Sequence, residues 1–398
     1  MTAWNAELAW LGEDRLARAA LSFLAEPGDV VLGALLRSAS AAQVLAVVAG
    51  HRDLGSVLPW QAGADDRVAR ITPAVAERAI GQWRTRLAVV PSRERLILAE
   101  RSGFRLVCPG EPEWPTQLDD LGDARPVVLW VRGAADLRFA CLRSVSVVGS
   151  RAATAYGTFM GTELGADLAA RGWSVISGGA FGIDACAHRG ALAASGCTIA
   201  VLASGLRFGY PKGHGDLFAA IAQTGVLVSE CPPDQPPTRP GFLVRNRVIA
   251  ALSRGTVVVE AALRSGAINT ARHARELNRP VMAVPGPVTS EQSAGCHELI
   301  RESGATCVTG AANVIELVAP LGEEEHGAVR EPAVPADSLD PVTAAVLAVM
   351  TGRTGRGPAT IATLAGVDLD TVLRCLGLLA AAGYVERCDQ GWRPRASR

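Results

Sequence analysis

The chain has 398 residues, 49% of them hydrophobic and 20% charged, with 39 basic side chains set against 39 acidic ones. That length predicts two or three domains, and a formal net charge of zero excludes a global field that would draw in a polyanion. Any nucleic-acid site must be a local concentration of charge. Lys212 is the single lysine, so phosphate contacts would fall to planar arginine forks.

Residues 1–85 carry apolar positions at helical spacing over Leu8–Leu24 and Val30–Val48, and Thr72-Pro73 opens another helix as N-cap and first helical residue. This predicts a small all-helical domain of SAM or helix-hairpin type, serving as a packing or partner module or as a backbone contact for nucleic acid. The N-terminus shows no signal-peptide pattern, and no apolar run reaches the roughly 20 residues that span a bilayer. The expectation is a cytoplasmic protein with no membrane contact.

Residues 86–318 change character. Apolar runs at Val127–Val131, Ser144–Val148, Ser174–Ile176, Thr198–Leu202, Val226–Val228, Thr256–Val259 and Val281–Val284 alternate with helical segments such as Gly157–Arg171 and Ser265–Leu277. The pattern predicts an α/β fold: an extended Rossmann-like, doubly wound and mostly parallel sheet, with ligands beyond the carboxyl ends of its strands. Residues 319–339, rich in Pro, Gly and Glu, read as a linker. Residues 340–398 contain a helix–turn–helix (Pro358–Ala365, Leu369–Ala382) and a hairpin around Gln390-Gly391, an order that resembles a winged helix. Its second helix offers Arg374 against Asp368 and Asp370, which favours protein contact over reading of base edges.

The loops carry the chemistry. Gly149-Ser150-Arg151 joins a strand to a helix, where free backbone N–H groups and an arginine suit an anion. Ser177-Gly178-Gly179-Ala180-Phe181-Gly182-Ile183-Asp184 repeats the arrangement, with Asp184 as a cap for the next helix. Arg245-Asn246-Arg247 opens an apolar helix, and Lys212 and Ser265-Gly266 fall on the same expected sheet edge. Phe181, Phe208, Tyr210 and Phe242 are interleaved as core residues or as stacking surfaces. The G-x-G-x-x-G and Walker A patterns are absent. The nine cysteines have no C-x-x-C spacing, and no nucleophile–base pair or metal-spaced carboxylates stand out. The residues therefore point to binding rather than catalysis, with no cofactor and no metal.

These loops, in this order, resemble the DNA-processing protein A family (DprA, also called Smf). The matching stretches are Gly149-Ser-Arg151 with Tyr156-Gly157, Ser177 to Asp184 with His188, and Thr198 to Leu202. Tyr210-Pro211, Ser229-Glu230, Arg245-Asn-Arg247, Ser265-Gly266, Pro285-Gly286 and Gly295 to Ile300 continue the run. The chain departs from the pattern at Leu243, Phe181 and Thr154. The resemblance implies a non-enzymatic protein that binds single-stranded DNA without sequence preference, protects incoming strands and loads RecA in transformation and recombination, acting as a homodimer. It implies DNA contacts at Gly149, Ser150, Arg151, Gly178, Gly179, Phe181, Lys212, Arg245, Asn246, Arg247, Ser265 and Gly266, and partner contacts at His297, Leu299 and Ile300.

Two other classes compete with this reading. A nucleotide phosphoribohydrolase of similar fold carries P-G-G-x-G-T-x-x-E, where this chain has Glu260-Ala-Ala-Leu-Arg-Ser-Gly-Ala. A winged-helix transcriptional regulator is disfavoured by the acidic second helix.

Overall fold

The computed structural model describes residues 14–58, 71–319, 339–350, 355–381, 384–388 and 391–394. The first part of the Leu8–Leu24 pattern, residues 320–338 of the expected linker and Gln390 of the expected turn lie outside the described residues. The chain divides into two compact units, Met1–Leu321 and Gly322–Arg398.

In the first unit, α1 (Asp14–Leu24), α2 (Val30–Ser38), α3 (Ala41–Val48) and α4 (Pro73–Thr85) enclose an apolar core that includes Leu21, Leu35, Val44 and Trp83. The Thr72 hydroxyl accepts the Val75 N–H at the start of α4, with Pro73 at the first helical position as its sequence requires. This helical segment is not isolated from the sheet. Leu16 and Ala19 of α1 share a second core with Phe104, Trp130 and Leu202.

After α5 (Arg93–Arg101) come the strands β1 (Arg105–Val107), β2 (Leu129–Gly133), β3 (Ser144–Val148), β4 (Ser174–Ser177), β5 (Thr198–Leu202), β6 (Val226–Ser229), β7 (Thr256–Val258), β8 (Val281–Ala283) and β9 (Thr306–Cys307), with α6 (Leu137–Leu142) between β2 and β3 and α9 (Gly215–Thr224) between β5 and β6. They form one nine-stranded sheet in the order β1-β2-β6-β5-β4-β3-β7-β8-β9. Every pair from β6 to β9 is parallel, and β2 is antiparallel to both β1 and β6. The seven expected strands are present; β1 and β9, of three and two residues, had no run long enough to stand out.

The central strands are buried on both faces, which explains why they are rich in apolar residues and carry only small Ser and Thr hydroxyls between them. One face packs on α7 (Ala155–Ala170), α8 (Ile183–Ala193) and α13 (Ala311–Val318) through Val147, Val175 and Val257. The other packs on α10 (Arg239–Leu252), α11 (Gly266–Glu276) and α12 (Glu291–Glu302) through Val148, Ile176 and Val258. Strands β3 to β6 wind away from β3 in one direction, and β7 to β9 wind away in the other. The chain order thus reverses between β3 and β7, where the two following loops diverge and leave a crevice at the carboxyl ends of the strands.

In the second unit, α14 (Pro341–Ala348), α15 (Pro358–Ala365) and α16 (Leu369–Ala381) pack on Val346, Ile361, Leu376 and Val385, and an antiparallel pair, Val385–Cys388 with Gly391–Pro394, follows. Among the described residues no single helix is long and apolar enough to cross a membrane.

Candidate nucleic-acid interface

A cleft of about 630 Å³ opens at that reversal point. Gly149, Ser150 and Arg151 line it from the end of β3, Arg264, Ser265 and Gly266 from beyond β7, and Arg239, Phe242, Arg245 and Asn246 from α10. Arg151, Arg239 and Arg264 are exposed. Asp184 is the one acidic side chain among the described residues that line the cleft, and it is buried. Three solvent-facing guanidinium groups around a concave edge make a local positive field on a chain of zero net charge.

The β3–α7 loop is tightly constrained. The Ser150 N–H donates to Glu260 O (2.7 Å), and Ser150 O accepts the Ile183 N–H (3.1 Å). The Thr154 hydroxyl caps α7 by accepting the Gly157 N–H (3.1 Å). Between these anchors Arg151 extends over the Phe242 ring, its guanidinium carbon 4.8 Å from the ring centroid. That spacing is a cation–π contact.

The β4–α8 loop turns at Gly179 and Gly182, both at positive φ, and Gly182 also leaves no room for a Cβ beside Ser150 O. Asp184 does not cap α8, contrary to expectation. Its Oδ2 reaches back to accept the Gly178 N–H (3.1 Å) and the Ala180 N–H (3.4 Å), so it braces the loop. Burial pushes the Asp184 carboxyl above the ordinary range, opposed by the Arg245 charge and these N–H donors.

Arg245 lines the cleft but is only 7% exposed. Its Nη1 donates to Gly178 O (2.7 Å) and to Val201 O, joining the loop after β4 to the end of β5. Burial lowers its pKa to about 10, with the Asp184 charge opposing the shift, which leaves it protonated at neutral pH. Asn246 Nδ2 donates to Gly266 O (3.1 Å) and so fixes α10 to the start of α11, where Ser265 Oγ accepts the Ala267 N–H (3.2 Å).

Arg247 does not join them. It is buried on another side of α10, where its Nη2 donates to Glu230 Oε1 at 2.6 Å, and it does not line the cleft. The Gly28 turn lies against it, a Cβ there falling 2.8 Å from the guanidinium. Its charge is paired with Glu230 inside the fold, so the structure does not bring Arg247 together with the other expected contacts in the cleft.

Phe181, Tyr210 and Phe242, with Arg151 and Gly178, line a small hollow of about 30 Å³. Phe181 is 51% and Tyr210 40% exposed, and the Tyr210 and Phe242 rings meet edge to face at 5.6 Å. Lys212 is exposed outside both cavities, its Nζ 5.9 Å from the Phe208 ring centroid, and Gly179 packs on Phe218. Arg239 and Arg264 are not among the contacts expected from the sequence, although Arg264 stands in the expected βα turn before Ser265-Gly266; both adjoin the α10 and α11 caps Thr238 and Ser265.

Of the expected partner contacts, Leu299 is buried in the core. His297 is half-buried with Nε2 3.0 Å from Gly286 O, and Ile300 is half-buried. His188 is fully buried, Nδ1 2.7 Å from Thr198 Oγ1, and desolvation lowers its pKa to about 3, which fits a neutral core histidine. Among the described residues no group of three or more His, Cys, Asp or Glu side chains could hold a metal.

The family described as DNA recombination-mediator protein A matches residues 105–319. A putative DNA processing protein DprA of Mycobacterium tuberculosis is 46% identical over 312 residues, covering 75% of this chain and 79% of that protein. Protein Smf of Escherichia coli is 43% identical over 222 residues, 56% of this chain and 58% of that one. The solved structure of DNA processing protein A from Streptococcus pneumoniae superposes with a TM-score of 0.58 at 29% identity, over 76% of this chain and 97% of that one. Together with the loop motifs and the doubly wound sheet that carries them, these likenesses show that the chain belongs to the DNA recombination-mediator protein A (DprA/Smf) family.

Proposed function

We propose that this protein binds single-stranded DNA without sequence preference along the cleft edge of its sheet, protects the strand and hands it to a RecA-type recombinase. The observation that carries the reading is the adjacency of three exposed arginines, at 151, 239 and 264, to a hollow walled by the Phe181, Tyr210 and Phe242 rings. Arginines neutralise phosphates, and open aromatic faces take unpaired bases of any identity, a combination that duplex DNA with its stacked bases does not use. The reading is of a cytoplasmic binding protein, not an enzyme, acting as a homodimer, with the C-terminal unit as a winged helix that contacts protein.

Titration of a labelled single-stranded oligonucleotide and its duplex, followed by fluorescence anisotropy at several salt concentrations, tests it. The expected result is preference for the single strand and an affinity that falls steeply with salt. Equal affinity for the duplex would overturn the reading.

A further inference from the structure

The β3–α7 loop owes its position to a residue outside the cleft's contact surface. Glu260 follows β7 and is 1% exposed, yet its carboxyl group engages no basic side chain by ion pair or hydrogen bond among the described residues. Oε2 accepts the Thr154 backbone N–H at 2.9 Å, and Oε1 accepts the Thr154 hydroxyl at 2.5 Å. The backbone oxygen of the same residue accepts the Ser150 N–H at 2.7 Å. One residue of the neighbouring strand's loop therefore holds both ends of the five-residue segment that contains Arg151. A Cβ at Gly157 would collide with Glu260 Oε2, so the helix start is shaped to admit this side chain. An acidic group is also favoured by the first turn of α7, where N–H groups lack helical partners.

We infer that Glu260 is a positioning residue for DNA binding: it fixes the β3–α7 loop so that Arg151 is presented over Phe242 and into the cleft. The inference rests on the single-strand reading above. Without the carboxyl group the Thr154 N–H and hydroxyl lose their acceptor in a part-buried site, and the loop gains alternative conformations in which Arg151 leaves the Phe242 ring. Binding must then pay to restore the order. Glutamine keeps the reach of the side chain, with its oxygen on the Thr154 N–H and its amide donating to the Thr154 hydroxyl.

The full chain is titrated with fluorescein-labelled oligothymidylate as wild type, Glu260→Ala, Glu260→Gln, Arg151→Ala and the Glu260→Ala/Arg151→Ala pair, and amide exchange over residues 150–157 is followed by mass spectrometry without DNA. Loss of the two side-chain hydrogen bonds to Thr154, each felt only partly in binding, predicts affinity weakened about fivefold or more in Glu260→Ala, with recovery to within about twofold in Glu260→Gln. Exchange over 150–157 should accelerate in Glu260→Ala alone among the Glu260 variants. Because both residues act through Arg151, the double variant should bind within about twofold of Arg151→Ala, the sign of coupling rather than additivity. A folded Glu260→Ala protein that binds as wild type, or a double variant whose losses multiply, overturns the inference while the single-strand reading stands. If the wild type itself fails to bind the oligonucleotide, that reading falls first. Should Glu260→Ala not fold, Thr154→Val, which deletes the donated hydroxyl, replaces it in the same cycle with Arg151→Ala, and the same two outcomes decide.

Discussion

Arg245 Nη1 donates to the carbonyl oxygen of Gly178 at 2.7 Å, so an arginine at the floor of the cleft holds the glycine loop in place. Its position suggests a phosphate ligand, but its hydrogen bonds make it a brace, and the two roles differ in salt dependence. Arg151→Ala should lower the magnitude of the slope of log affinity against log salt by roughly 0.7, the single-strand increment for one phosphate contact. Arg245→Ala should leave that slope nearly unchanged while destabilising the fold by about 3 kcal/mol, because Asp184 remains buried without its counter-charge. Anisotropy titrations across salt, paired with urea melts, separate the two; a slope change in Arg245→Ala equal to that in Arg151→Ala would return Arg245 to the ligand set.

Arg247 and Glu230 form a buried pair at 2.6 Å, with side chains 7% and 9% exposed. Burial pushes the Glu230 carboxyl up while the Arg247 charge pulls it down. Removing one partner strands the other: Glu230→Ala or Arg247→Ala should cost about 3–5 kcal/mol in urea unfolding, whereas replacing both with apolar residues of similar volume should cost much less. Gly28→Ala should act in the same direction, since its φ of +75° disfavours a side chain and the added Cβ meets Arg247. None of these changes should alter the salt slope of DNA binding.

The contrast between these two arginines shows how far the sequence was legible. Short apolar-rich segments such as Ser144–Val148 and Thr198–Leu202, alternating with helices, disclose a parallel sheet, and the glycine loops between them locate its functional edge. Arg245 and Arg247 flank Asn246 and look like a pair in the sequence. Both lie inside α10, which already begins at Arg239. Residues two apart on a helix point about 200° apart, so they could not share a cleft. The early helix start, set by the Thr238 cap, is what places both arginines inside α10. The bracing by Asp184 and Glu260 was not legible at all, since it depends on loops brought together from distant parts of the chain. The 3.6-residue period of α12 places Leu299 with Cys296 on its inward stripe, away from the surface.

The aromatic hollow predicts a loss of a different kind. Phe242→Ala removes both a base platform and the ring beneath Arg151, while Phe181→Ala removes a half-exposed ring with no cation over it among the described residues. Each stacked base contributes about 1–3 kcal/mol. Phe181→Ala should therefore weaken binding by about 1 kcal/mol or more at every salt concentration, giving parallel lines on a log–log plot. Phe242→Ala should lose more and also flatten the slope, because Arg151 is freed. Tyr210→Ala, whose ring meets Phe242, falls between them. If all three variants bind as the wild type does, the rings are not a stacking surface.

His188 supplies the pH dependence. Its folded pKa is lowered to about 3 by burial, below the ordinary value of 6.5, so between those limits the unfolded chain binds the extra proton. Stability must then rise with pH across that window and fall on acidification. The loss begins as pH drops below about 6.5 and amounts to about 2 kcal/mol by pH 5 for this one group. The neutral imidazole is held by Thr198 Oγ1 at 2.7 Å, which in turn donates to Val175 O, so the site ties α8 to β4 and β5. A His188→Gln variant cannot take up the proton. It should be less stable than the wild type at pH 7.5, through imperfect packing, and should lose less stability between pH 7.5 and 5. Urea midpoints measured at both pH values test this, and an acid loss as large in the variant as in the wild type would place the titration elsewhere.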